Sequence, residues 1–213
     1  MTERLQPPRP RLELVPPEAD ILQQQANPVE LSEIGTPELE EIIDGMLEIA
    51  YGEQGDAQRP TLVGLAAPQA GIKKRIVIID VLADGMGGEE KDFQVFINPE
   101  IIEQSDELEE GREGCYSTGR VCGVVNRSKR IVIRSLDRQG NEVITELHDF
   151  PARVGQHEID HLDGIRFPQR VSDDRKLHKV PKDDFGRYRQ EWATWQILYP
   201  RDEVNRLLNL PAV

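Results

Sequence analysis

The amino-acid sequence predicts an α+β fold, with mostly antiparallel or mixed β-sheets around a central helix that carries an H-E-x-x-H motif. Three features predict it: β-branched segments separated by turn residues fill the middle of the chain, an amphipathic helix precedes them, and the motif helix follows them. The 213 residues, 38% of them hydrophobic, are enough for one good-sized core. One domain with a tail at each end is therefore expected.

The N-terminal region divides into an arm and a helix. Residues 1–20 contain five prolines and few large apolar groups, which predicts an extended arm. Thr36 and Pro37 then form a helix start signal. The apolar residues that follow recur at helical spacing; they are Leu39, Ile42, Ile43, Met46, Leu47 and Ala50. Because they form one stripe, they predict an amphipathic helix that packs on the core.

The middle of the chain is predicted to form strands. The β-branched run at residues 74–81 is bounded by charge and indicates a buried strand. Short strands are expected over residues 93–104, broken at Asn98 and Pro99. Two alternating segments around a D-R-Q-G turn predict a β-hairpin over residues 130–147. Beyond Phe167 the chain is charged, and short terminal helices are expected in it.

The stretch QHEIDHLDG at residues 156–164 contains the H-E-x-x-H motif, for which the composition gives a chance expectation of about 0.01 occurrences. Asp149 and Pro151 resemble a helix start, and Gly164 lies where a helix can stop. On such a helix His157 and His161 share one face and can bind one metal ion together. The intervening Glu158 then has the position of a general base.

A catalytic site of this type usually has a third protein ligand. The long metzincin pattern is excluded, because Phe167 stands where its third histidine belongs. Glu191 or Glu203 remains possible as a ligand from a later helix. Cys115 is a third candidate, because it follows a glycine in a turn-prone segment between strands. The other cysteine, Cys122, has an apolar setting typical of a buried filler residue.

Charge and targeting features indicate an intracellular, cytoplasmic protein. The N-terminus lacks the features of a secretion signal, and no apolar run approaches the roughly 18 residues of a membrane span. The net charge of −13 argues against DNA binding. Residues 170–213 are locally basic, with nine Lys and Arg against seven Asp and Glu. A transient ribosome contact is one interpretation of this tail, although a solvated surface is the favoured one.

Three motifs in order carry a resemblance to a known family. GLAAPQ at 64–69, EGCYS at 113–117 and QHEIDHLDG at 156–164 resemble the signature motifs of peptide deformylases. The resemblance extends over residues 21–168, which would form the catalytic domain. It leaves out the arm at 1–20 and a charged C-terminal extension at 169–213.

The resemblance implies a hydrolase that removes the N-formyl group from the N-terminal methionine of nascent polypeptides. Its motif positions imply three sets of site residues. These are Cys115, His157 and His161 as metal ligands; Glu158, Gln69 and the backbone N–H of Tyr116 as catalytic groups; and Gly64, Leu65 and Val154 as substrate-binding residues. The implied cofactor is one Fe²⁺ per chain, for which Zn²⁺, Ni²⁺ or Co²⁺ can substitute.

Four positions depart from the pattern that the family usually has. Leu62 replaces a glycine, Tyr116 a leucine and Gly155 a bulky apolar residue, and Arg166 interrupts an apolar run. Leu62 and Gly155 keep an alternative open, namely a related metallo-amidase that acts on another N-acyl substrate. A metalloprotease that uses Glu191, and a non-enzymatic structural metal module, are further alternatives.

Overall fold

The computed structural model describes residues 11–53, 61–88 and 90–211. Within these ranges the strands form two antiparallel sheets, which confirms the predicted α+β class. In chain order they are β1 (Gly64–Ala66), β2 (Ile76–Asp80), β3 (Phe93–Gln104), β4 (Leu108–Gly114), β5 (Val121–Ser128), β6 (Arg130–Leu136), β7 (Glu142–His148) and β8 (Leu177–Lys179). One sheet has the order β1-β2-β3-β6-β7 and the other β4-β5-β8.

Helix α1 spans Pro37–Tyr51 and covers one face of the larger sheet. The hydroxyl of Thr36 accepts a hydrogen bond from the backbone N–H of Leu39 at 3.3 Å, and Pro37 occupies the first helical position. Gly52 ends the helix with a φ of 74°. Five residues of the predicted stripe region are buried; they are Leu39, Ile43, Met46, Ile49 and Ala50.

Helix α2 spans Asp149–Leu162 and lies between the two sheets. It contacts β1, β2 and β7 of the larger sheet and β5 of the smaller one, so every residue from Ala152 to Leu162 is buried. The H-E-x-x-H motif occupies the C-terminal half of this helix. Most polar side chains on a buried helix are paired, so the partners on α2, and the atoms left without one, define the site described below.

Strand β2 explains how the larger sheet is buried on both faces. Ile76 and Ile78 belong to the hydrophobic cluster under α1, whereas Val77 and Ile79 belong to the cluster under α2. Alternate residues of a strand face opposite sides of the sheet, so a continuous apolar run is needed here. The predicted buried strand over this run is confirmed.

The expected strand break at Asn98 and Pro99 is wrong, because β3 continues through both residues. Asn98 has a φ of 51°, and the pairing register with β6 shifts between Ile97 and Glu100. The side-chain amide of Asn98 is bonded to both the N–H and the carbonyl of Val29, each at 2.8 Å. The irregularity is therefore a β-bulge that accommodates proline without ending the strand.

The predicted hairpin is confirmed as β6 and β7, joined by a turn in which the N–H of Gly140 donates to the carbonyl of Asp137. In the C-terminal region β8 pairs with β5, and it is followed by α3 (Phe185–Glu191) and α4 (Arg201–Leu207). The segment between these helices forms a 3₁₀ turn at Trp192–Thr194. No helix in the described ranges has both the length and the apolar character needed to cross a membrane.

The part of the N-terminal arm that the structure describes is extended and lies on the body of the protein. Leu12 and Leu14 pack against the hydrophobic cluster under α1. The N–H of Val15 donates to the carbonyl of Gln69 at 2.9 Å. Residues 1–10 lie outside the described residues, and the boundaries of the arm, the catalytic domain and the extension stay a prediction.

Candidate active site

The structure brings the three predicted metal ligands together. One ligand atom from each of Cys115, His157 and His161 lies within 4.8 Å of the others. Cys115 Sγ is 3.4 Å from His161 Nε2, and the two imidazole rings are 5.0 Å apart between centroids. A thiolate and two imidazoles at this separation match the donor set that iron and zinc sites use.

Local backbone structure explains how Cys115 reaches the helix. The residue follows the end of β4 in an extended conformation and precedes a 3₁₀ turn at Tyr116–Thr118. The hydroxyl of Thr118 donates to the carbonyl of Cys115 at 2.9 Å and is 3.1 Å from that of Val121. These contacts fix the turn, so that the thiol faces α2 across the space between the sheets.

A buried carboxylate orients His157. Nδ1 of His157 lies 2.9 Å from Oε2 of Glu113, so a proton on Nδ1 is shared with this carboxylate and Nε2 is left for a metal. Burial opposes ionisation of Glu113, but hydrogen bonds from His157 and Arg127 hold its pKa well below the usual value. Arg153 adds a third contact to Glu113 at 3.1 Å.

This network extends to the far side of α2. Arg127 donates to Oε1 of Glu113 at 2.9 Å and to Oδ2 of Asp160 at 2.6 Å, and Arg170 also bonds Asp160. Asp160 is buried, because the smaller sheet covers this face of α2. Sequence reasoning assigned no role to Glu113, although it lies inside the EGCYS motif.

Glu158 has the environment of a general base. It is buried, its Oε2 has no hydrogen-bond partner within the described part of the protein, and burial raises its pKa to about 7. Strand β1 passes directly over it, because a Cβ atom at Gly64 would lie 2.6 Å from Glu158 Oε1. Glycine is therefore required at this crossing, and Glu158 faces the space beside β1.

Gln69 is held so that its amide nitrogen faces the metal ligands. Its Oε1 accepts a hydrogen bond from the N–H of Ala66 at 2.8 Å. Nε2 then donates to Cys115 Sγ and to the hydroxyl of Ser117, each at 3.1 Å. The side chain therefore caps its own turn and also presents a hydrogen-bond donor to the metal ligands.

The three predicted substrate-binding residues lie on β1 and on α2 beneath it. Strands β1 and β4 are each paired on one side only in the described ranges, and both lead towards Cys115. Val154 lies close under Gly64, since a Cβ at Gly64 would lie 2.6 Å from its Cγ1. Leu65 is fully buried in the core, so only its backbone is available to a ligand.

Two of the departures from the family pattern have packing roles. Leu62 packs against the cluster under α1. A Cβ at Gly155 would lie 3.0 Å from Ile131 and 3.3 Å from Leu147, so this glycine lets α2 pack closely against β6 and β7.

The competing ligands are not near the two histidines. Glu191 is exposed and bonded to Arg187 at 3.0 Å, and Glu203 is exposed on α4. His178 is buried against the hydroxyl of Tyr188 at 2.9 Å. Cys122 is buried, and burial raises the pKa of its thiol to about 12, which is typical of an inert filler residue.

Comparison with known proteins gives a consistent answer. The sequence model of the polypeptide deformylase family matches residues 12–177. The peptide deformylase of Natranaerobius thermophilus is 41% identical over 135 residues, covering 63% of this chain and 78% of that protein. The peptide deformylase of Fusobacterium nucleatum is 42% identical over 153 residues, covering 72% of this chain and 79% of that protein.

A solved structure shows the same fold. The class I type b peptide deformylase from Acinetobacter baumannii with Met-Ala-Ser bound superposes with a TM-score of 0.67. It is 35% identical, and the match covers 75% of this chain and 98% of that one. From its sequence match, its fold and its Cys-His-His cluster, the chain belongs to the polypeptide deformylase family.

Proposed function

We propose that this chain hydrolyses the N-formyl group from the N-terminal methionine of newly made polypeptides and releases formate. The observation that carries the proposal is the convergence of Cys115, His157 and His161 beside the buried carboxylate of Glu158. The related structures with Met-Ala-Ser and with actinonin support a peptide-like ligand in this fold.

The donor set fits one divalent metal ion. Cys115, His157 and His161 would hold it, and Fe²⁺ is the proposed ion, with Zn²⁺, Ni²⁺ or Co²⁺ as substitutes. When bound, such an ion supplies a Lewis acid and makes water more acidic at this position. The pairing of His157 Nδ1 with Glu113 supports this role, because it leaves the other ring nitrogen facing the cluster.

The chain's own residues handle the proton and the negative charge. Glu158 takes a proton from the attacking water, whose oxygen forms a bond to the formyl carbon. Nε2 of Gln69 and the backbone N–H of Tyr116 donate hydrogen bonds to the oxygen that becomes negative. Glu158 then passes its proton to the leaving amine as the C–N bond breaks, which yields formate and a free N-terminus.

The edges of β1 and β4 suit an extended peptide. A chain that lies between the edges of β1 and β4 can bond to both as an added strand, with its formyl end at Cys115. Gly64 and Leu65 would contact it through backbone atoms, and Val154 through its side chain. Because Leu62 and Gly155 both have packing roles in the core, they give less support to a different N-acyl substrate.

The activity test uses anaerobically purified, iron-loaded protein and formyl-Met-Ala-Ser. We expect formate release from this peptide and none from acetyl-Met-Ala-Ser. Glu158→Gln should retain the metal and lose turnover by at least about a hundredfold, because it removes the base. Absence of formate from the metal-loaded wild type would refute the proposal, and turnover of the acetyl peptide instead would favour the alternative amidase.

A cytoplasmic location and a transient ribosome contact through the C-terminal extension complete the proposed role. The local basic charge of residues 170–213 supports the contact, and Lys182 and Arg206 are exposed. Because β8 and α4 belong to the folded body, deletion is a poor test, whereas charge reversal leaves packing intact. Lys182→Glu combined with Arg206→Glu should reduce co-sedimentation with ribosomes, and unchanged co-sedimentation would remove this part of the proposal.

A further inference from the structure

Arg166 is an unusual buried charge in this protein. The residue directly precedes the 3₁₀ turn at Phe167–Arg170, and its side chain is fully buried. Arg127 and Arg153, the other two arginines that are at least nine-tenths buried in the described ranges, both pair with the Glu113 carboxylate. Arg166 donates only to backbone carbonyls, and its Nε has no hydrogen-bond partner among the described residues.

The two carbonyls that Arg166 bonds belong to opposite ends of the chain. One nitrogen donates to the carbonyl of Pro17 in the N-terminal arm at 2.6 Å, and the other donates to the carbonyl of Leu208 at the end of α4. A buried guanidinium costs much free energy unless its contacts are well made. Replacing it would leave both of these carbonyls without their donor.

Each of these chain ends supports a different part of the site. Leu208 belongs to one hydrophobic cluster with Phe167, and Cys115 packs against that cluster. Phe167 in turn stacks on the ring of His157, with centroids 6.1 Å apart. On the other side, the arm that contains Pro17 bonds the carbonyl of Gln69 through Val15.

We propose that Arg166 is a positioning residue for the metal centre. Its hydrogen bonds hold the N-terminal arm, which contacts Gln69, and the end of α4, which packs in the cluster next to Cys115. This inference rests on the metal site proposed above. It gives the C-terminal extension a function in the reaction, since α4 would hold the packing that places the thiol. Outer contacts of metal ligands commonly change metal affinity by about 10- to 100-fold when they are removed.

The test compares Arg166→Met with the wild type after cobalt loading. The thiolate-to-cobalt charge-transfer band reports Cys115 coordination, and competition with a chelator reports affinity. We expect a weakened or shifted band, about tenfold or more loss of affinity, and faster amide hydrogen exchange in α4 and in residues 11–20. The conservative Arg166→Lys should restore part of the affinity, and it also serves if the methionine variant fails to fold.

Arg201→Met is the matched control. Arg201 also fastens α4 through two carbonyls, those of Pro168 and Val171, but it is partly exposed and paired with Asp174. A change in the band for Arg166 variants and not for Arg201→Met supports the inference. Equal changes in both, or no change in either, overturn it. A wild type without the band would refute the proposed metal site itself.

Discussion

At the scale of single residues, the pairing of Glu113 is the contact most closely tied to the ligands. Its two carboxylate oxygens lie within hydrogen-bonding distance of His157, Arg127 and Arg153 in a buried network. Removing one member of such a network leaves the others as uncompensated buried charges. Glu113 therefore links the orientation of a metal ligand to the stability of the fold.

Glu113→Gln should lower metal affinity by about 10- to 100-fold, because His157 loses the carboxylate that orients it. It should also destabilise the protein by about 3 kcal/mol, because Arg127 and Arg153 lose their shared anion. Chelator competition and urea unfolding measure the two effects. Glu107→Gln, which removes the exposed partner of Lys129, is the control and should change neither. Unaltered metal affinity in Glu113→Gln would contradict the orienting role.

Gly64→Ala should reduce turnover by more than about tenfold while the metal content stays constant. The added Cβ would lie 2.6 Å from Glu158 Oε1 and from Val154 Cγ1, so the base must move or β1 must shift. Formate release and metal analysis on the same preparation measure this. Gly186→Ala, where a Cβ meets nothing within 4 Å, is the control and should retain wild-type rates. Full activity of Gly64→Ala would show that the crossing is looser than described.

At the scale of elements, the β-bulge in β3 shows where local sequence reasoning failed. Proline after asparagine suggested a strand end, yet Asn98 adopts a positive φ and its amide replaces lost pairing through Val29. Asparagine is among the few residues that tolerate this conformation. The strand therefore continues, and its second half pairs with β6.

Asn98→Ala should destabilise the protein by about 2 to 3 kcal/mol, because it combines an unfavourable φ with the loss of two hydrogen bonds. Asn98→Asp should cost less, since the acceptor for the N–H of Val29 remains. Urea unfolding measures the free energy of unfolding of both variants, compared at equal m-values. Equal stability of Asn98→Ala and the wild type would mean that the bulge is not held by this side chain.

Helix α2 shows which features of the site the sequence predicts and which it does not. Start and stop signals predict the bounds of a helix, and the i, i+4 histidines predict a shared face. The burial of Asp160 is not predictable in this way, because a charged helix residue is usually exposed. Its partners Arg127 and Arg170 lie 33 and 10 residues away, and no local pattern predicts those contacts.

At the scale of the whole molecule, the C-terminal region belongs to the same body as the motif helix. Strand β8 extends the smaller sheet, and Val204 and Leu208 of the α4 region pack with Val121 and Phe167. The family resemblance extends to residue 168 and the sequence becomes charged near there, which predicts a separate C-terminal extension. Charged residues cover the exposed side of these elements, whereas the few apolar ones complete the core.

Truncation after Lys176 should therefore lower the melting temperature by more than about 10 °C or prevent folding, because it exposes the cluster around Val121 and Phe167. Thermal unfolding followed by circular dichroism measures this. Removal of residues 212–213 alone provides a control of nearly full length. A truncated chain with wild-type stability and turnover would establish that the extension is separable from the catalytic domain.

The ordered motifs predicted the family and the reaction, whereas residues alone left the third metal ligand open between Cys115, Glu191 and Glu203. The distinction depended on a contact across 46 residues between Cys115 and His161, which only the fold brings about. The contacts of Arg166 with Pro17 and Leu208, at the two ends of the chain, could likewise not be predicted from local sequence patterns. Function was easier to predict here than the structure that sustains it.

The most direct measurement is the X-ray absorption spectrum of the zinc-loaded protein, compared between the wild type, Cys115→Ser and Cys122→Ser. The account predicts one sulfur at about 2.3 Å with two imidazole nitrogens in the wild type and in Cys122→Ser, and loss of the sulfur in Cys115→Ser. A wild-type coordination shell of nitrogen and oxygen alone, without sulfur, would contradict it.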